Sequence, residues 1–245
     1  LATIQEGEFF GEMNFIDGQA RSAEALANTP TTVFVISRAS IEPVFETRKE
    51  VAVQFFWHFW KSLARRTRES NDRLKTFFAD MKEPAAPARV DKETIAEAKK
   101  ISIDLDKKLK VLQEQGLLSA KELRLLATFS NEELYAKDDV IFREGSTGDK
   151  LYIILEGNVR ISKHIPGIGE EALAILKGGD FFGEMALIDR EKRSADARAH
   201  GGSVTLLSIT NEVLNEILSV DIESACQFLS ILCRILTQRL REINL

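Results

Sequence analysis

The sequence predicts an α+β fold in which short strands broken by glycines are flanked by long helices, with part of the plan duplicated. Three observations predict it. Residues 1–27 align on 173–199 without a gap at 15 identities in 27 positions, where chance gives about one or two, so the chain carries a true internal repeat. The stretch from Val140 to Val159 reads as short strands separated by Gly145, Gly148 and Gly157. Apolar residues recur at helical spacing after residue 50 and again after residue 222.

The elements follow in order. Thr32 to Ile36 reads as the last strand of the first repeat, and Ser40 to Glu46 as a short helix. Glu50 to about Met81 is a long helix, because Val51, Phe55, Phe59 and Leu63 recur at i, i+4. Its run Phe55-Phe56-Trp57-His58-Phe59-Trp60 is aromatic nearly all round, which predicts burial on more than one side. Plain core packing, a purine face and the other repeat are the three candidate partners for that run.

Glu83-Pro84-Ala85-Ala86-Pro87-Ala88 is a linker, since two prolines stop a helix. Helical segments follow, with Ile95, Ala98, Leu105, Leu109 and Leu112 apolar and Gly116 at the end. Ser119-Ala120-Lys121-Glu122 forms a capping box, and Leu123, Leu126 and Phe129 give the next helix its apolar face. Strands are expected near 139–143, 150–156, 158–165, 171–177, 194–199 and 203–209. Thr210 or Asn211 then caps a short helix, and Ile222 to Ile243 forms the last one.

Composition narrows the function. A net charge of −5 argues against a nucleic-acid surface, which needs clustered Lys and Arg. No apolar run reaches the roughly 18 residues that cross a bilayer, and no secretory signal opens the chain, so a cytoplasmic protein is expected. Cys226 and Cys233 lie on one helical face about 10 Å apart, too far to bridge, and read as free thiols. His58, His164 and His200 are scattered without metal-ligand spacing, so no metal is expected.

The duplicated segment carries the chemistry. Phe181-Phe182-Gly183-Glu184-Met185-Ala186-Leu187-Ile188-Asp189 is followed by Arg193-Ser194-Ala195. Phe9-Phe10-Gly11-Glu12-Met13-Asn14-Phe15-Ile16-Asp17 is followed by Arg21-Ser22-Ala23. Gly183 permits a tight turn close to a ligand, and the helical turn after it offers unpaired N–H groups to an anion. Arg193 adds a permanent cation whose planar fork matches two phosphate oxygens. Glu184 only accepts hydrogen bonds when ionised, so it suits a hydroxyl such as a ribose 2′-OH. Together these groups select a sugar that carries an anion.

The pattern F-G-E-x-A-L followed by R-[ST]-A resembles the phosphate-binding cassette of the cyclic nucleotide-binding domain. The resemblance extends upstream through Val140-Ile141-Phe142-Arg143-Glu144-Gly145, Gly148-Asp149-Lys150-Leu151-Tyr152-Ile153-Ile154 and Glu156-Gly157-Asn158-Val159. It covers about 118–245 in full and 1–79 in part. It implies a jelly-roll-like β-roll with flanking helices, duplicated in this chain. The implied domains are 1–82, half a roll plus its long helix; 83–117, a linker with N-terminal helices; and 118–245, a complete second domain. The first cassette stands so close to residue 1, which is not Met, that a longer protein with a fuller first repeat is expected.

By the same resemblance Glu184 is the ligand of the ribose hydroxyl and Arg193 that of the cyclic phosphate. Gly183, Ala186 and Ser194, with Met185 and Ala195 beside them, offer the remaining donors and walls. Gly11, Glu12, Arg21 and Ser22 match these roles in the first repeat, where Asn14 replaces the usual alanine and would crowd a phosphate. The last helix is expected to move over the base; Arg234 stands about where the family covers it, the alternative being a solvated surface arginine, with Ile235 and Gln238 as other candidates. Some cGMP-preferring members carry Thr or Ser after R-[ST]-A, whereas Asp196 and Glu24 stand there in this chain, which favours cAMP over cGMP.

The function expected is that of a non-enzymatic sensor controlling an unidentified effector domain or protein, with a possible homodimer through the long helices. The alternative is a β-roll that binds protein and no nucleotide. A cupin-like enzyme lacks its His/Glu metal cluster, and tandem repeats disfavour a DNA-binding regulator.

Overall fold

A computed structural model of the chain describes residues 3–79, 94–114, 120–165 and 169–243. The linker prolines, Gly116 and the Ser119 capping position lie outside the described residues. The first repeat contributes three helices: α1 (Glu12–Asp17), α2 (Arg38–Thr47) and α3 (Lys49–Ala79). Gly11 starts α1 in the left-handed conformation at φ 84, and Gly18 closes it at φ 70. Ser37 caps α2 by accepting from the Ser40 N–H.

Residues 18–36 form no strand, contrary to the expectation for Thr32–Ile36. Phe34 is 98% exposed and Val35 86% exposed. The reason is the lack of a ladder. In the second repeat the segment ending at the equivalent cap, Thr210, is hydrogen-bonded on both sides. Among the described residues nothing pairs with 32–36, and a lone extended segment has no backbone partners.

The second repeat builds one antiparallel sheet from β1 (Lys99–Lys100), β2 (Asn131–Tyr135), β3 (Val140–Phe142), β4 (Lys150–Ile165), β5 (Gly169–Leu176), β6 (Phe181–Phe182) and β7 (Asp196–Thr210). The main path runs β1-β2-β7-β4-β5, with β3 on β7 and β6 on β4; its two ends do not close into a barrel. Two pairs of expected strands are single long ones. β4 continues through Gly157, where the register shifts on either side of Glu156. A Cβ on Gly157 would come within 2.5 Å of the Ser203 carbonyl oxygen, so only glycine lets the two long strands approach there. β7 likewise continues through Gly201-Gly202.

Between and after the strands lie α4 (Leu105–Glu114), α5 (Ala120–Phe129), α6 (Glu184–Asp189), α7 (Asn211–Val220) and α8 (Ile222–Ile243). Ile95 and Ala98, expected on a helix, instead lie in irregular chain whose Ala96 N–H donates to the Val140 carbonyl at 2.8 Å. Leu123 and Leu126 are buried as expected, whereas Phe129 is exposed.

The period of two on the long strands separates two cores. Tyr152, Ile154, Val204 and Leu206 fill the inside of the roll with Phe182. Leu151, Ile153, Leu207 and Ile209 face the helices, where they meet Trp60, Leu63, Phe228 and Leu232. The aromatic run therefore serves as core between the repeats: Trp60 is fully buried, and the Cys233 thiol of α8 reaches the Phe56 carbonyl at 3.2 Å. The long helices that the sequence offered for a homodimer, α3 and α8, lie against each other within one chain.

Candidate functional site

The second cassette is built at the junction of β6, α6 and the start of β7. Gly183 precedes α6 at φ 78, and a Cβ there would come within 2.6 Å of Arg193 Nη1. Arg193 is only 5% exposed. Its Nη1 donates to the Gly183 carbonyl at 2.6 Å and its Nη2 to the Lys150 carbonyl at 2.8 Å. The guanidinium carbon lies 4.2 Å from the Phe142 ring centroid and 5.9 Å from that of Tyr152. Gly148 closes the other side and has no room for a Cβ.

Burial lowers the Arg193 pKa from its ordinary value, opposed by Tyr152, Glu184 and Asp149 nearby. The fork's two terminal nitrogens hold carbonyl oxygens, as a buried guanidinium must place its donors. Nε alone is buried without a partner.

Behind Arg193 a charged network holds β4. Glu133 accepts from Ser208 Oγ at 2.6 Å, Tyr135 Oη at 2.9 Å and Lys150 Nζ at 2.9 Å. Burial would raise the Glu133 carboxyl, but these three donors outweigh it and hold it below the ordinary range. Burial, reinforced by Glu133, pushes the Tyr152 hydroxyl up to about 12.

Glu184 is 1% exposed. Its Oε1 accepts from Arg239 Nη1 of α8 at 2.7 Å, while Oε2 is buried without a partner. Glu184 and Arg193 line one cavity of about 150 Å³ with Gly183, Met185, Ala186, Ser194 and Ala195. Every expected residue of the second cassette is therefore gathered at one place. Thr67 and Asn71 of α3 and Arg239 and Glu242 of α8 also line the cavity wall, together with apolar residues of the roll such as Phe142, Ile161 and Leu176. Asn71 is 5% exposed, and its Oδ1 has no partner. Glu184 Oε2, Asn71 Oδ1 and Arg193 Nε, on three residues that line the cavity, are thus all buried without a hydrogen-bond partner.

Arg234 does not belong to this wall. It is exposed, as is Gln238, and Ile235 packs into the helical core. The helix turns Arg239 inward instead, five residues further on. Arg239 and the two α3 residues escaped the sequence reading because only tertiary packing brings α3 over the second cassette. A signal existed: Arg66-Thr67-Arg68 and Arg239-Leu240-Arg241 stand at nearly the same distance beyond Glu12 and Glu184, 54 and 55 residues.

The first cassette keeps the local contacts and lacks the enclosure. Arg21 Nη1 donates to the Gly11 carbonyl at 2.8 Å, as Arg193 does to Gly183. Ser22 Oγ approaches Met13 Sδ at 3.6 Å, as Ser194 approaches Met185 at 3.8 Å. Glu12 is 2% exposed and pairs with Arg66 at 2.5 Å. Arg21 and Ser22 are exposed, however, with no strand over them among the described residues. Asn14 turns its amide to the Gln19 carbonyl. Among the described residues no three His, Cys, Asp or Glu side chains are grouped to hold a metal, and no helix is long and apolar enough to cross a membrane.

The sequence model of the cyclic nucleotide-binding domain matches residues 1–48 and 132–221. The chain belongs to this family. The cGMP-dependent protein kinase isozyme 1 of Drosophila melanogaster is 37% identical over 97 residues, which are 39% of this chain and 13% of that kinase. The cyclic AMP receptor protein of Thermus thermophilus is 38% identical over 82 residues, 34% of this chain and 38% of the receptor. The chain thus spans well under two thirds of these curated relatives. A crystallised cyclic nucleotide-binding domain from Methylobacillus flagellatus superposes with a TM-score of 0.52 at 28% identity, over 57% of this chain and 79% of that one. The family's antiparallel roll with flanking helices is the fold of the second repeat.

Proposed function

We propose that the chain is a regulatory, non-catalytic module that takes a cyclic nucleotide, cAMP in preference to cGMP, into the second cassette. Occupancy acts on α8 and through it on an effector, either a domain of the same polypeptide or a separate protein. One observation carries the reading: Glu184 and Arg193 line the same cavity, each buried with an unused polar atom.

A ribose hydroxyl donates to the carboxylate of Glu184, and the cyclic phosphate takes the cation of Arg193. To receive it, the terminal nitrogens of Arg193 exchange the Gly183 and Lys150 carbonyls for phosphate oxygens. Asn71 supplies an amide able to pair with a purine edge. Arg239 shares Glu184 with the sugar, which ties ligand binding to the position of α8. Asp196 accepts from the Glu144 N–H at 2.6 Å and from Arg143 at 3.1 Å, so it is engaged in the roll. That favours the cAMP reading over one in which this position reads guanine.

A thermal shift tests the proposal. A ligand at about 100 times its Kd adds ~2.7 kcal/mol of stability. The expected outcome is a clear rise in Tm with cAMP and a smaller one with cGMP at the same concentration. No shift with either, together with loss of a partner when residues 55–60 are altered, would replace the sensor by a protein-binding scaffold.

A further inference from the structure

Two arginine turns tie the cassettes to each other. On α3, Arg66 holds its own repeat's Glu12, and its Nη2 donates to the Phe9 carbonyl at 2.6 Å. Two residues on, Arg68 crosses to the other repeat. Its Nε and Nη2 reach the two oxygens of Asp189 at 2.5 and 3.0 Å, and its Nη1 donates to the Lys192 carbonyl at 2.6 Å.

The arrangement on α8 is the same with the repeats exchanged. Arg239 holds its own Glu184. Arg241 crosses to Asp17, with Nε and Nη2 at 2.6 and 3.0 Å from the two oxygens, and its Nη1 donates to the Ala20 carbonyl at 3.0 Å. Residues two apart on a helix face different sides, so one turn reaches both cassettes. The crossing pairs are two-pronged and largely shielded: Arg68, Asp189, Arg241 and Asp17 are 10–17% exposed.

We infer that the two cassettes are energetically coupled through these turns, so that a change in the loop of one cassette alters the loop of the other. The mechanical path is short. Lys192, whose carbonyl Arg68 holds, adjoins Arg193, so releasing Arg193 from its two carbonyls works directly on Arg68 and α3. The same α3 turn anchors Glu12. Lys163, buried on β4, adds a second hold on α3 through Asp72 at 2.6 Å while donating to the Ser194 carbonyl at 3.2 Å. The statement about nucleotide rests on the proposed function; the coupling of the loops does not.

Amide hydrogen exchange on the full chain decides it. Arg241→Ala is compared with the unaltered protein, and Asp17→Asn serves as a second variant if the first loses its far-UV dichroism. The expected result is exchange about threefold faster or more, both at 12–21 and at 184–193, with 204–209 of β7 unchanged. Faster exchange confined to 12–21 and α8 overturns the inference, as does a uniform rise everywhere. In a second arm cAMP is added to the unaltered chain, and exchange at 12–21 is expected to change on binding. Binding without that change also overturns the coupling. Failure to bind cAMP instead removes the nucleotide reading, and the first arm alone then decides the coupling.

Discussion

Arg241 grips the carboxylate of Asp17 with two nitrogens, at 2.6 and 3.0 Å, across 224 residues of chain. The last helix of the second repeat is thereby fastened to the cassette helix of the first. These two helices share with α3 a single apolar core in which Ile16, Trp60 and Leu232 are all buried.

This pair sets a pH dependence. Burial raises the Asp17 carboxyl, but the hydrogen bond from Arg241 and the N–H of Gln19 outweigh it, so its pKa lies below the ordinary value. A carboxyl depressed in the folded state stabilises fully above its unfolded value, near ~3.9, and loses that contribution as pH falls through the folded value. Asp17→Asn should be less stable than the unaltered chain by ~1 kcal/mol or more at pH 7. The gap should narrow below about pH 4. Urea unfolding at pH 7, 5 and 3 measures it, and a gap that stays constant to pH 3 contradicts the assignment.

Arg193→Ala should weaken cAMP binding at least ~20-fold, about 1.8 kcal/mol. It should also lower Tm without ligand, because the Gly183 and Lys150 carbonyls lose their donors. Arg193→Lys should rescue little, since one ammonium cannot span two carbonyls as the planar fork does. Calorimetry that finds affinity undiminished in Arg193→Ala would reject the phosphate role, and full affinity in Arg193→Lys would reject the need for the fork.

Glu184 is tested through the sugar. The unaltered chain should bind 2′-deoxy-cAMP about tenfold or more weakly than cAMP, the value of one hydrogen bond to a charged group. Glu184→Gln should show a much smaller difference between the two ligands. Equal discrimination by both proteins would place the hydroxyl elsewhere.

Gly183→Ala and Gly201→Ala separate strain from collision. Both glycines have left-handed backbone, at φ 78 and φ 74, but only Gly183 faces Arg193 at short range. Gly201→Ala should cost about 1 kcal/mol from backbone strain alone. Gly183→Ala should cost more, ~2–3 kcal/mol, and displace Arg193. Equal losses in urea unfolding would show that the close approach at Gly183 matters little.

The second cassette was legible because its residues lie within 13 positions of each other. A turn, a helix and a return strand make local geometry follow from local sequence, so Gly183, Glu184 and Arg193 are found together where expected. The strands around Gly157 and Gly201 were misread as separate because glycine marks both a turn and a bulge; only the pairing partner distinguishes them. Thr32–Ile36 shows the converse. Its composition is that of a strand, yet a strand is a property of two segments, and no second segment lies beside it among the described residues.

By itself the sequence determined the duplication, the family resemblance and the acid and base of the candidate pocket, since each rests on residue types at fixed short spacing. Only the tertiary structure decided what covers that pocket and what joins the repeats. Arg239 rather than Arg234 reaches Glu184, and Asn71 comes from the other repeat. Both outcomes depend on how α3 and α8 rotate against each other when their apolar stripes are buried. That rotation is set by packing between segments far apart in the chain, which no local spacing encodes.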